Sequence, residues 1–276
     1  MKRHLRSAAD RIQRLIARSP LLVRAAVLVR NQCRCIIKYH LAESPDVNET
    51  GEVWLRRAIA PRASTFMDVG ANVGEWLAEI AALKAGSEFR AVAYEPSNSA
   101  FAKLSERFAG NPQVTLRNCA AGDRAADLEF FEEERAGKGS SLVSDFVAAA
   151  GRKRIVQAVR LDDEIATLGW EHVDLLKIDA EGYDMRVMAG AQRLFEQQRI
   201  GAVQFEYNRA WQLAGDTLYA AMRFLEQRGY EVFVLKRDGL YTLNYNVYEE
   251  FFEYANFVAL APEFASIKEQ SFRGTI

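Results

Sequence analysis

FMDVGANVGEW, Phe66 to Trp76, decides the fold of this chain. Apolar strand-formers lead up to Asp68, and Gly70, Asn72 and Gly74 then recur at every second position. Glu75 to Leu83 follows with helix-forming composition. A strand running through a glycine-rich turn into a helix is how many α/β proteins offer backbone N–H groups to a ligand. Gly70 permits the tight turn, Asn72 tolerates a left-handed conformation, and Gly74 lets the helix start close to the strand.

Outward from this turn, strand and helix signals alternate. Strands are predicted at 64–69, 89–95, 114–119, 173–179, 200–207, 230–236 and 255–261. Helices fit 74–85, 97–109, 184–198 and 215–228. The segments 128–134 and 155–161 read as extra strands or an insertion. Alternation of this kind implies an α/β fold, a doubly wound and mostly parallel sheet covered on both faces. Ligands in such folds sit beyond the carboxyl ends of the strands. Those ends carry Asp68-Val69-Gly70, Glu95-Pro96, Asn118-Cys119-Ala120, Asp179-Ala180-Glu181-Gly182 and Glu206-Tyr207-Asn208. A single polar strand end often only caps the next helix. Five in register point to a site.

The turn reads D-x-G-x-N-x-G, whereas a dinucleotide-binding turn reads G-x-G-x-x-G. A pyrophosphate on the helix N-terminus gains nothing from an acid in front of it. A ligand bearing both a carboxylate and an ammonium uses both features, and S-adenosylmethionine is such a ligand. Glu95, ending the second strand, is placed to accept hydrogen bonds from both ribose hydroxyls.

These stretches also resemble the FkbM-type family of S-adenosylmethionine-dependent methyltransferases. The likeness is carried by FMDVGANVGEW, VAYEPSNSAFAKL, LRNCAAGD, GSSLV, VRLDDEI, VDLLKIDAEGYDMRVMAGA, VQFEYN and NFVAL, in that order over residues 64 to 261. The resemblance implies a class I methyltransferase fold, Rossmann-like, with a seven-stranded sheet, and methylation of a hydroxyl oxygen. It implies cofactor contacts from Asp68, Gly70, Asn72, Gly74 and Glu95. Pro96, Asn118, Ala120 and Asp179, at neighbouring strand ends, complete the expected cofactor set. Tyr183-Asp184 departs from the family's more usual small residue and Glu, and is expected to tune the substrate side.

An alcohol acceptor must lose its proton. The only histidines are His4, His40 and His172. The first two lie in a basic segment, and His172 precedes a strand at the wrong edge of the sheet. The base is therefore a carboxylate, a metal-bound alkoxide or water, with Asp179, Glu181 and Glu206 as catalytic candidates. Asp179, Glu206 and Asn208 can supply hard oxygen ligands to Mg²⁺, or can form a metal-free hydrogen-bonding site. GKGSSLVSDF, 137–146, reads as a lid over the acceptor or as a surface loop. Trp76, Trp170 and Trp211 read as sugar-stacking platforms or as core. The expected reaction is O-methylation of a saccharide or other small alcohol. A cofactor-binding module without catalysis and an NAD-dependent oxidoreductase stand as alternatives, the latter disfavoured by the turn spacing.

The 276 residues carry a net charge of −1, which hides an asymmetry. Residues 1 to 40 hold ten Lys/Arg against Asp10 alone, or +9, so the rest of the chain carries −10. Apolar residues from Leu5 to Leu41 recur at helical spacing with a break at Pro20, predicting two basic amphipathic helices over 1–41. Such an arm either lies peripherally on an anionic membrane or docks its apolar faces on the body or on a second copy in a homodimer. Residues 42–63 read as hinge and lead-in, and 64–276 as the catalytic domain. The acidic body, lacking an Asn-Pro-Pro-Tyr-like element, argues against nucleic acid as substrate. Three cysteines without a paired framework fit reduced thiols and a cytoplasmic setting, at the inner membrane face if the arm attaches. No apolar run reaches the roughly 18 to 20 residues of a membrane span.

Overall fold

The computed structural model describes residues 2–41, 44, 46, 48–132, 141–143 and 152–276, with side chains from residue 9 onward and without that of residue 152. The chain forms two compact units, Met1–His40 and Leu41–Ile276. The first consists of α1 (Lys2–Ile16) and α2 (Pro20–His40), broken where Pro20 predicts. No helix among the described residues is long and apolar enough to cross a membrane.

The second unit begins with α3 (Glu52–Ile59), inside the stretch read from sequence as hinge and lead-in. Its Leu55 and Ile59 are fully buried in the core, so this segment is part of the folded body. There follow β1 (Thr65–Val69), α4 (Glu75–Leu83), β2 (Arg90–Tyr94), α5 (Asn98–Arg107) and β3 (Val114–Arg117). Next come β4 (Ala120–Ala121), β5 (Ala126–Glu132), β6 (Arg152–Val159), α6 (Leu161–Thr167) and β7 (Val173–Ile178). The expected helix over 184–198 is two shorter ones, α7 (Asp184–Gly190) and α8 (Gln192–Glu196). Then β8 (Ile200–Tyr207), α9 (Arg209–Ala214), α10 (Leu218–Glu226), β9 (Glu231–Lys236), β10 (Gly239–Thr242), α11 (Tyr245–Tyr248), β11 (Ala255–Leu260), a 3-10 turn (Pro262–Phe264), α12 (Ala265–Ser271) and β12 (Phe272–Thr275) complete the unit.

The main sheet has nine strands in the order β12-β10-β9-β11-β8-β7-β1-β2-β3. The expected seven strands form one continuous run ending at the β3 edge, and β10 and β12 extend the other edge. Strands β3, β2, β1, β7 and β8 run parallel, while β11 enters antiparallel between β8 and β9. The strand order reverses at β1, where one crossover runs out to β2 and the other to β7. Crevices open at such reversals, beyond the strand carboxyl ends. β1 and β11 are buried along their whole length, as central strands covered on both faces must be. A separate three-stranded sheet, β4-β6-β5, has its own small core of Ala120, Phe130, Val156 and Ala158.

Candidate active site

At the reversal point the turn after β1 takes the left-handed backbone the sequence suggests, at Gly70 (φ 77°), Asn72 (φ 50°) and Gly74 (φ 80°). A Cβ on Gly70 would lie 1.9 Å from the Asp179 carbonyl oxygen, so no other residue fits there. A Cβ on Gly74 would meet Leu104 and Phe108 of α5 at 2.5 and 2.7 Å. Gly74 therefore serves helix packing and does not line the cavity.

The turn's amides are used differently from the expectation. Gly70 and Ala71 both donate to the Tyr94 carbonyl (3.0 Å each), Asn72 donates to Glu95 Oε2 (2.7 Å), and Gly74 donates to the Ala71 carbonyl (2.8 Å). These donors are satisfied within the protein. The turn consequently presents acceptors more than donors to anything beside it, which suits a cationic group better than a phosphate.

A cavity of about 630 Å³, counted with its mouth, lies against this turn. Val69, Gly70 and Asn72 form one side, and Tyr94, Glu95 and Pro96 the next. Ala120, Ala121 and Phe130 contribute from the small sheet, and Asp179, Ala180 and Glu181 close the site after β7. Ser141 and Leu142 complete the wall. Of the sequence candidates, Gly70, Asn72, Glu95, Pro96, Ala120, Asp179 and Glu181 come together here. Asp68 lies beneath, Glu206 stands close to Asp179 and Glu181, and Asn118 donates its amide to the Glu95 carbonyl at 2.9 Å, bracing the β2 end.

Glu95 accepts from the amides of Asn72 and Ser97, both at 2.7 Å. Burial pushes its carboxyl up to about 7, opposed by those two hydrogen bonds. A carboxylate has about four lone-pair sites, so both oxygens keep acceptor capacity toward the cavity.

Behind the cavity runs a buried polar file that a strand pattern alone does not reveal. The register places Asp68 beside Lys177 and Lys177 beside Gln204, and places Glu206 beside Asn256. Lys177 Nζ donates to Asp179 Oδ2 at 2.9 Å and stands 3.9 Å from Asp68 Oδ1. Burial alone would lower the Lys177 ammonium, but Asp179, Asp68 and Glu52 outweigh it and hold it charged. Asp68 is raised to about 6, chiefly by burial. Neither of its oxygens has a hydrogen-bond partner, nor do Gln204 Oε1 and Asn256 Oδ1. Buried acceptors without donors are uncommon.

Beyond β7 and β8 the carboxylates crowd. Burial raises Glu181 to about 8, with Asp179 and Asp184 adding repulsion and Asn208 opposing. Glu206 is raised well above the usual carboxylate range, by burial and then by Asp179 and Glu181. Asn208 donates to Glu206 Oε1 at 2.7 Å while its own Oδ1 caps α9 through Ala210 N at 2.8 Å. Among the described residues, no three His, Cys, Asp or Glu side chains converge as a metal-holding group.

Several expectations are corrected by the geometry. Asp184 is fully buried and accepts from Gly182 N at 3.1 Å, so it fixes the turn and does not face a substrate. Of the two readings of Trp76, Trp170 and Trp211, stacking platform or core, the structure bears out the core. Of the 137–146 segment only 141–143 are described. Ser141 pairs with Phe131 and donates its hydroxyl to the Glu181 carbonyl at 2.7 Å. Lys177 and Phe130 have no role assigned from sequence, and Ser141 reads there only as part of the 137–146 lid or loop. A lysine inside an otherwise apolar strand, LLKI, was the available signal for the first.

The fold and this site define a class I methyltransferase-type α/β protein. The chain belongs to the FkbM methyltransferase family: the Methyltransferase FkbM domain matches residues 68–232. No curated protein matches it. Among solved structures, a methyltransferase FkbM from Methylobacillus flagellatus is similar at 16% identity and TM-score 0.47, covering 71% of this chain and 43% of that one. A precorrin-6y C5,15-methyltransferase from Geobacter metallireducens is similar at 14% identity and TM-score 0.41, covering 76% and 87%. The Methanococcus jannaschii fibrillarin pre-rRNA processing protein is similar at 12% and TM-score 0.42, covering 74% and 68%. The chain thus spans less than half the length of the FkbM structure it matches.

Proposed function

We propose that this protein is an S-adenosylmethionine-dependent O-methyltransferase acting on a hydroxyl of a saccharide or other small alcohol. The observation that carries this reading is the carboxylate group at the β7 and β8 ends, with Asp179 and Glu181 on the cavity wall and Glu206 behind them. The residues present fit the cofactor. The acceptor-rich turn, with Asp68 beneath it accepting no hydrogen bond, suits an ammonium, and Glu95 suits a ribose. When bound, S-adenosylmethionine supplies a methyl group on an already activated sulfonium.

The chain's own residues then have three tasks. Asp179, kept close by Lys177, accepts the hydrogen bond that orients the acceptor hydroxyl. Glu181 and Glu206, pressed together by burial, supply a proton acceptor tuned toward neutral pH, where general bases work best. Phe130 and Leu142 exclude water from the cavity wall.

Glu95→Ala should weaken S-adenosylmethionine binding by roughly ten- to a hundredfold in calorimetry. Ribose hydroxyls left without a charged acceptor cost about 1.5 to 3 kcal/mol, and each 1.4 kcal/mol is about tenfold. Unchanged affinity in a folded variant would mean that the adenosine lies elsewhere.

The pH profile tests the proton acceptor. A carboxyl raised to about 8 is protonated below that pH and cannot take a proton there. kcat/KM with a glycan or nucleotide-sugar acceptor should therefore climb about tenfold per pH unit toward a plateau near 8. Glu181→Gln should depress the plateau and remove that limb. A wild-type profile flat from pH 6 to 9 would count against the pair as base.

A further inference from the structure

The site accounts for the body of the molecule and leaves the first 40 residues without a task. α2 runs for 21 residues, about 30 Å at 1.5 Å per residue. At about 100° per residue, Arg24, Arg30, Arg34 and Lys38 fall within an arc of about 120°. Leu21, Leu22, Leu28, Val29, Ile36 and Tyr39 occupy a second arc of about 120° on the other side. All six are exposed, Leu21 at 74% and Ile36 at 69%. α1 repeats the arrangement, with Arg11 and Arg14 on one side and the exposed Ile12, Leu15 and Ile16 on the other.

We propose that residues 1–40 are a peripheral membrane anchor, lying along a bilayer that contains anionic lipid. The apolar arcs of both helices enter the acyl boundary, and the arginines lie among the headgroups. Exposed apolar side chains along a helix of this length need cover, and +9 of charge selects a cover that is negative. A nucleic acid would meet the basic arc and leave the apolar arc in water. A second arm would cover the apolar arc but bring a further +9 beside the first. An anionic bilayer satisfies both arcs at once. Arg24 and Arg30 interrupt the apolar sequence, so α2 lies on the membrane and does not span it. Near an anionic surface each basic residue contributes on the order of 1 kcal/mol, and several suffice for reversible attachment.

Co-sedimentation of the full chain with vesicles tests this. Vesicles of phosphatidylcholine with phosphatidylglycerol should pellet the protein at low salt, and high salt should release much of it. Pure phosphatidylcholine should pellet at least about tenfold less. The pair Leu28→Glu with Ile36→Glu, and separately Arg24→Glu with Arg30→Glu, should each lose about tenfold or more in vesicle affinity. Both pairs should keep the thermal transition and cofactor affinity of the wild type, which excludes misfolding of the body. Failure to pellet with anionic vesicles at low salt would overturn the proposal. So would equal pelleting with both lipids, or an apolar-face variant that pellets like wild type, which is adsorption by charge alone. Analytical ultracentrifugation adds an independent arm. A dimer that the Leu28→Glu, Ile36→Glu pair dissociates, without vesicle binding in the wild type, would assign the face to a second copy.

Discussion

Asp179→Asn should abolish turnover, lowering kcat by about 10³-fold or more, while cofactor affinity stays within a few-fold of wild type. The side chain lines the cavity and holds Lys177 at 2.9 Å. Asparagine keeps the size and one acceptor oxygen but loses the charge. The acceptor hydroxyl then meets an uncharged amide, and Lys177 loses its nearest counter-charge. Steady-state kinetics on one productive acceptor, with calorimetry on the same preparation, separates the two effects. A variant that turns over normally would leave no role for a carboxylate at this position. A variant that loses cofactor affinity in parallel would move Asp179 from the reaction to the binding of S-adenosylmethionine.

Lys177→Met should destabilise the fold by about 3 to 5 kcal/mol. Methionine nearly fills the volume, so the loss is electrostatic and not a cavity effect. It leaves Asp68 and Asp179 without their shared cation, and Asp68 is buried with both oxygens lacking partners. Removing one member of a buried ion pair costs more than the pair contributes, because the remaining charge has no water to turn to. Urea unfolding at neutral pH measures the loss. Acid should narrow it, since a protonated Asp68 no longer needs the ammonium. A change below about 1 kcal/mol would mean that Asp68 is already neutral in the native state.

The sequence makes the sheet readable because its central strands are short apolar runs bounded by turn-formers. β8 was expected at 200–207 and is found there. The edge strands β10 and β12 escaped notice, being only four residues each and defined by pairing. α3 escaped for another reason. Its eight residues, EVWLRRAI, follow a polar stretch of turn-formers, and only tertiary burial of Leu55 and Ile59 commits them to the core. The site shows the same division. Strand ends placed Glu95, Asp179 and Glu181 on one rim, because every parallel strand delivers its carboxyl end to the same side. The pairing of Lys177 with Asp68 depends on register across β1 and β7, which a single chain of letters does not carry, whereas Asp179 lies only two residues further along the chain. Asp184 misled because a charged residue beside a motif reads as functional, whereas burial makes it a brace for the turn.

The hydroxyl of Ser141 on the Glu181 carbonyl has a consequence for anyone re-engineering the proposed acceptor side. The small sheet looks like a detachable module, a hairpin with its own core set beside the main sheet. The Ser141 bond, together with those of Ser97 and Ser99 to Glu132, makes it a splice instead. A hairpin transplanted from another family member would arrive with its own residue at 141. It would thereby reset the seat of Glu181, a residue that never left the host. Chimeras built at the hairpin boundaries would change acceptor choice and proton transfer together, and cuts that carry 141 with 179–184 as one cassette keep the two matched.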